Sequence, residues 1–200
     1  MSTIQYRHTA YPSAWLAAAA GFLYSVAFVV IARNNPALGN GLSGFFLLIG
    51  GVFGASALLG LYERLKPATG TYALWALVLG LGGAFAVTLH GGYDLAVAIH
   101  PPNQTINFPS PVDPRGLGTF GLTGLSLLAF SYLMQRDRSF PRGLVAIGYV
   151  SGALLVLIYV SRLTILDASN LLVLAPAGIE GFIVNPAWYV WLGLALRKPG

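Results

Sequence analysis

The sequence predicts an all-α, polytopic membrane protein, a bundle of six transmembrane helices with both termini cytoplasmic. Three observations predict it. Of 200 residues, 56% are hydrophobic and only 8% are charged, against about 25% charged in an ordinary soluble chain. The apolar residues gather into six runs, each near the roughly 20 residues that a helix needs to cross a bilayer core. The Lys and Arg residues sit in short connections beside those runs and divide unevenly between the two sides. A soluble domain needs polar residues to cover its surface. None are left over for one, so residues 1–200 read as a single transmembrane domain.

The runs follow in order. Residues 1–13 are a polar lead with Arg7 and His8, ending at Tyr11-Pro12-Ser13. The first run, 14–32, opens at Trp15. As a secretory signal it would end at Val30-Ile31-Ala32, but its apolar stretch exceeds the ~7–15 residues of such signals, so a retained helix is expected. A polar loop, 33–40, leads to the glycine-rich second run, 41–62, where Gly50 and Gly54 have the spacing that lets helices approach closely. Glu63, Arg64 and Lys66 follow. The third run, 72–98, contains His90 and Asp94. Next comes the longest connection, 100–115, HPPNQTINFPSPVDPR. Its Asn103-Gln104-Thr105 matches a glycosylation pattern that recurs by chance and carries no weight.

The fourth run, 116–134, has small residues at helical spacing in Gly118, Gly121 and Gly124. A basic turn over 135–142 precedes the fifth run, 143–163, which holds the pair Gly148 and Gly152 and Arg162 near its end. Residues 167–170 turn the chain into the sixth run, 171–196. Glu180 lies near its middle, between Pro176 and Pro186.

Orientation comes from the basic residues. Arg7, Arg64, Lys66, Arg136, Arg138, Arg142, Arg197 and Lys198 share one side, and only Arg33, Arg115 and Arg162 the other. Eight against three places both termini inside, because cytoplasmic loops carry the excess of Lys and Arg. Trp15, Trp75, Trp188 and Trp191 fall at that same face with Tyr11, Tyr62, Tyr72 and Tyr132, which suggests an interfacial aromatic belt. The net charge of +5 is spread among these loops and suits anionic lipid, not nucleic acid. Without cysteine, disulfide, thiolate-metal and thiol chemistry are excluded.

Two segments carry a resemblance. One runs from Gly118 to Leu155 through Phe140-Pro141-Arg142 and Gly148-Tyr149-Val150-Ser151-Gly152. The other is the last run, with Pro176, Glu180 and Trp188-Tyr189-Val190-Trp191-Leu192. Together they resemble an uncharacterised bacterial six-helix integral membrane family, a domain of unknown function, over about half of the chain. The resemblance implies the same fold and topology and a bacterial cell (inner) membrane location. It implies no activity, and no functional residue follows from it.

The chemistry-bearing residues cluster by depth. At about 1.5 Å per residue, His90 lies some 27 Å along its helix from Tyr72, and Glu180 about 15 Å into the last helix from its outer end. Asp94 follows His90 by one turn on the same face, and Arg162 closes the outer end of the fifth helix. His90, Tyr93, Asp94, Arg162 and Glu180 therefore belong to the outer half, with His100, Asp113, Arg115 and Asp167 in the loops above. The inner half has no comparable set.

A carboxylate at the depth of Glu180 costs roughly 2.5–3.5 kcal/mol and should face protein or water. Three readings remain. Arg162 pairs with Asp94 or Glu180 and His90 donates to a carbonyl, as structural ties. Alternatively, Glu180, His90, Asp94, Arg162 and Tyr93 line an outward-facing ligand pocket, with Pro176, Gly178, Gly181 and Pro186 giving it room. Or His90, Asp94 and Glu180 supply three N/O ligands to zinc.

Serine-hydrolase elbow, zinc-protease and phosphate-loop motifs are absent from the sequence. The expected function is therefore non-enzymatic: a protein of unknown process whose outward pocket takes a small apolar or amphipathic ligand, a lipid, or a partner membrane subunit or second copy. No cofactor and no nucleic acid are expected. An intramembrane enzyme using His90, Asp94 and Glu180, with or without a metal, is the alternative, and a small transporter the third.

Overall fold

The computed structural model describes residues 3–102, 112–167 and 170–198, with side chains from His8 onward. The pattern at Asn103-Gln104-Thr105 and the side chain of Arg7 lie outside the described residues. Every described element is helical, and five helices are long and apolar enough to cross a membrane. Helix α1 runs Thr3–Val26 and continues through a π-helical turn, Ala27–Ile31, to Asn34. Helix α2 is Pro36–Ile99, α3 is Leu117–Asp137, α4 is Arg142–Thr164 and α5 is Leu171–Arg197.

Of the polar lead expected over 1–13, the part from Thr3 on is helix instead, and Pro12 lies inside it. The polar loop expected over 33–40 shrinks to Asn35, which adopts φ −142° and accepts from Leu38 N, with Pro36 opening the next helix. Asn at the cap and Pro in the first turn satisfy a helix start with one residue to spare. Composition showed a polar gap there; the capping geometry needs almost no loop.

Helix α2 holds 64 residues, with one residue in non-helical geometry, Gly70 (φ 51°, ψ −121°). That is left-handed backbone, which glycine reaches without the Cβ clash other residues meet. The chain reverses at Gly70, so its arms, 36–69 and 71–99, pack against each other. Gly44 meets the backbone of Leu95, Gly91 that of Leu48, and Gly51 that of Ala84 and Thr88. Small residues on both arms allow the close approach.

One end of the molecule is dense. There Leu58, Leu61, Leu127, Phe130, Leu144 and Leu192 are almost wholly buried around Trp188. The spacing of Gly124 and Gly152 lets α3 and α4 cross in backbone contact: a Cβ at either glycine would sit 2.8 Å from the other's carbonyl oxygen. Ser126 Oγ donates to Ala76 O at 2.9 Å, tying α3 to α2. Arg64 also belongs to this end, donating to Ala195 O at 2.5 Å with its guanidinium 4.5 Å from the Phe140 ring centre. The outer face is apolar, with Leu171, Phe85 and Ile183 more than 60% exposed, which suits contact with lipid.

The tryptophans do not form one belt. Trp188 is fully buried; Trp15 fills a notch at Gly193 and donates to Val190 O, and Trp191 fills one at Gly143. Glycines on neighbouring helices leave hollows that draw these three rings inward, while Trp75, stacked on Tyr72, stays half exposed at the surface.

Candidate functional site

Away from the dense end, the helices part around a cavity of about 390 Å³. Its shape comes from local sequence. The prolines of α5 matter most: Pro186 has no N–H to give the turn before it, and the backbone there opens into a π turn, Glu180–Val184. Two further π turns, Ala27–Ile31 and Leu117–Leu122, flank the same space. Such turns put an extra residue into a helix and re-aim its side chains, often at functional sites. Glycines do the rest: a side chain built at Gly178 would meet nothing within 4 Å.

Glu180 stands in the cavity wall, 3% exposed. Its Oε1 accepts from Ser151 Oγ on α4 at 2.5 Å. Its Oε2 is buried without a hydrogen-bond partner among the described residues. The π turn bonds Asn185 N to Glu180 O and so stacks Asn185 on the same face; its amide is the other side chain that bears on the carboxyl. Toward the dense end the cavity stops at Asn185, Leu58 and Tyr189. Beyond them the packing is the Leu and Trp188 core.

Toward the other end a polar chain runs along the wall. His90 Nδ1 lies 3.2 Å from Thr119 Oγ1, and His90 Nε2 lies 3.5 Å from Asp94 Oδ2. Asp94 Oδ1 accepts from Arg115 Nη1 at 2.8 Å. Arg115 turns its other nitrogens to Asp113, Nη2 at 2.7 Å and Nε at 3.0 Å, and lies 4.7 Å above the Tyr93 ring centre. Partial burial works against ionisation of Asp113, but the hydrogen bonds and charge of Arg115 outweigh it and hold this carboxyl below the usual carboxylate range.

Of the residues singled out from sequence, His90, Asp94, Arg162 and Glu180 all line the cavity, while Tyr93 does not and serves as the platform under Arg115. The expected partner of the acids is corrected. Arg115 holds Asp94, Ser151 holds Glu180, and Arg162 donates to Leu166 O at 3.0 Å. Arg115 reaches down because Asp113, two residues before it, folds its backbone and side chain together, Arg115 N donating to Asp113 Oδ1 at 2.9 Å. The zinc reading also fails: among the described residues no three His, Asp or Glu side chains come together to hold a metal ion.

Thr119, Ser151 and Asn185 are site residues that sequence reasoning did not single out, and Arg115, placed in the loop above the cluster, was not given its pairing with Asp94. The Asp113-Pro114-Arg115 triplet was a signal for Arg115. Ser151 carried one too, since it shares the small-residue face of Gly148 and Gly152. No protein-family model, curated protein or solved structure matches the chain, so the site is read from its own residues.

Proposed function

We propose that the chain is a six-crossing protein of a bacterial inner membrane, with both termini cytoplasmic, that binds a small amphipathic ligand in the cavity and performs no reaction there. The topology rests on length and charge. A 64-residue helix would be about 96 Å long, about three times the hydrocarbon thickness, whereas two arms folded back at Gly70 each match one crossing. The eight-to-three division of basic residues then puts the dense end inside. The termini share that side, and the cavity faces outward.

One observation carries the function: a buried carboxyl oxygen, Glu180 Oε2, without a partner among the described residues, in the wall of a mostly apolar cavity. Buried polar atoms are normally satisfied, and an orphan in a cavity fits a ligand group better than a structural tie. Pockets that take small molecules are mostly apolar with a few placed polar groups and begin near 300 Å³. A two-chain lipid is too large for this volume, but a single small amphiphile fits. Transport is disfavoured by the packed core around Trp188, where the buried polar side chains of the described residues are isolated serines. Thr119, His90 and Asp94 form a hydroxyl–imidazole–carboxylate row that an enzyme could also use, so the binding reading rests on the Glu180 carboxyl and not on that row.

A density map of the protein purified in lipid nanodiscs tests this reading. Elongated non-protein density ending at Glu180 is expected; a cavity holding only discrete waters would contradict it. For the topology, cysteine at His100 should react with an impermeant thiol reagent on intact cells, and cysteine at Ser139 should not. The reverse pattern would overturn the orientation.

A further inference from the structure

Glu180 does not take part in any ion pair of the described residues. The cations at the other end of the cavity are occupied or distant in the fold: Arg115 is shared by Asp94 and Asp113, and Arg162 is turned to a backbone oxygen. That end balances acids against bases. The Glu180 end carries one acid and no base. Of the cavity's aromatic rings Tyr189 lies nearest Glu180, while Tyr24 and Phe28 stack in parallel, ring centres 5.8 Å apart, farther along the same wall. Apart from Glu180, the polar atoms near this end are neutral, those of Ser25, Ser151 and Asn185.

From this juxtaposition we propose that the ligand is an apolar amine, which seats its ammonium on Glu180 near Tyr189 and lays its hydrocarbon along the cavity. The inference rests on the binding function proposed above and adds the ligand's charge. A carboxylate and rings presenting negative faces are the two features that recognise an organic ammonium. An alcohol could occupy Oε2 only with the carboxyl kept protonated, whereas an ammonium also compensates the ionised form. An anion would add a second negative charge. The association is non-covalent. An amine that arrives neutral at a protonated Glu180 reaches the same ion pair by moving one proton from carboxyl to nitrogen.

The test uses three probes of one shape, 4-phenylbutylamine, 4-phenylbutan-1-ol and 4-phenylbutyrate, titrated by calorimetry into the full-length protein in nanodiscs at pH 7, with empty nanodiscs subtracted. The amine should bind at least tenfold more tightly than the alcohol, and the butyrate weakest. Glu180→Gln should bring amine affinity down to that of the alcohol and leave alcohol binding unchanged. Equal binding of amine and alcohol by the unaltered protein would overturn the amine assignment while keeping the pocket. Tighter binding of the butyrate would overturn it in favour of Arg162. If none of the three binds, the binding function itself falls. The probe comparison needs no variant, so misfolding of Glu180→Gln would not protect the proposal.

Discussion

The dense end and the cavity end of this bundle share residue types, and single glycines and prolines within them do opposite things. At the dense end glycines admit a neighbour: Gly124 and Gly152 bring two backbones together, and Gly143 and Gly193 receive tryptophan rings. At the cavity end Gly44, Gly51 and Gly91 also pack on a neighbour's backbone and Gly181 on Ser25 Oγ, but Gly178 admits nothing within 4 Å. Proline also differs by position, though both examples lie away from the dense end. Pro36 begins a helix cleanly, whereas Pro186 follows an opened turn that carries Glu180. A small residue in a membrane helix thus has no fixed meaning. Whether it packs or leaves room depends on what the opposing helix places against it.

The largest effect should come from the centre of the dense end. Trp188→Ala removes a fully buried ring and should cost about 3–5 kcal/mol, the range for large aromatic truncations in cores. Trp188→Phe should cost much less, because the indole N–H has no partner among the described residues to lose. Thermal unfolding in detergent would check both. Equal losses would mean that the N–H, not the ring, matters there.

The comparison sharpens with two glycines given the same substitution. Gly152→Leu drives a side chain into the Gly124 carbonyl and Leu128 and should cost roughly 1–3 kcal/mol by overpacking. Gly178→Leu meets open space and should leave stability within about 0.5 kcal/mol, since leucine is also the better helix former. It should nevertheless fill part of the cavity and weaken binding of any ligand. Equal destabilisation by the two would break the distinction between the ends.

A smaller effect is expected at Arg115. Its pairs with Asp94 and Asp113 are roughly one-third exposed, and such pairs contribute at most about 1 kcal/mol. Asp113 has a lowered pKa when folded, so its share of stability is complete above the ordinary carboxylate range. It is lost as pH falls through the lowered value. Arg115→Gln should therefore cost up to about 1 kcal/mol at pH 7 and progressively less below pH ~4. A cost that stayed constant with pH would show that the side chain acts by packing on Tyr93 instead.

Much of this was legible in the sequence. Length and hydropathy placed the apolar runs to within a few residues at most boundaries, and helical spacing put His90 and Asp94 on one face. The ends that resisted were those set by capping and backbone geometry. Asn35 and Gly70 each reverse or restart the chain in one residue, where composition suggests a loop. Partner choice resisted for another reason. Arg162 is the nearest base to the acids by depth, but depth ignores rotation about the helix axis, and the π turn at Glu180–Val184 rotates the acid toward Ser151. Arg115 sat in a segment that reads as irregular, and its reach into the bundle depends on Asp113 folding it back.

The central claim, an open and mostly apolar cavity above a closed core, is tested most directly by thiol accessibility, with no native cysteine to interfere. Ser25 faces the cavity opposite Gly181, and Ser131 lies in the dense end against Gly148; both are buried. Each is replaced in turn by cysteine, and modification by a small charged methanethiosulfonate is timed on intact cells. The account predicts that Ser25→Cys reacts and Ser131→Cys does not. An unreactive Ser25→Cys, or equal rates at the two positions, would contradict it.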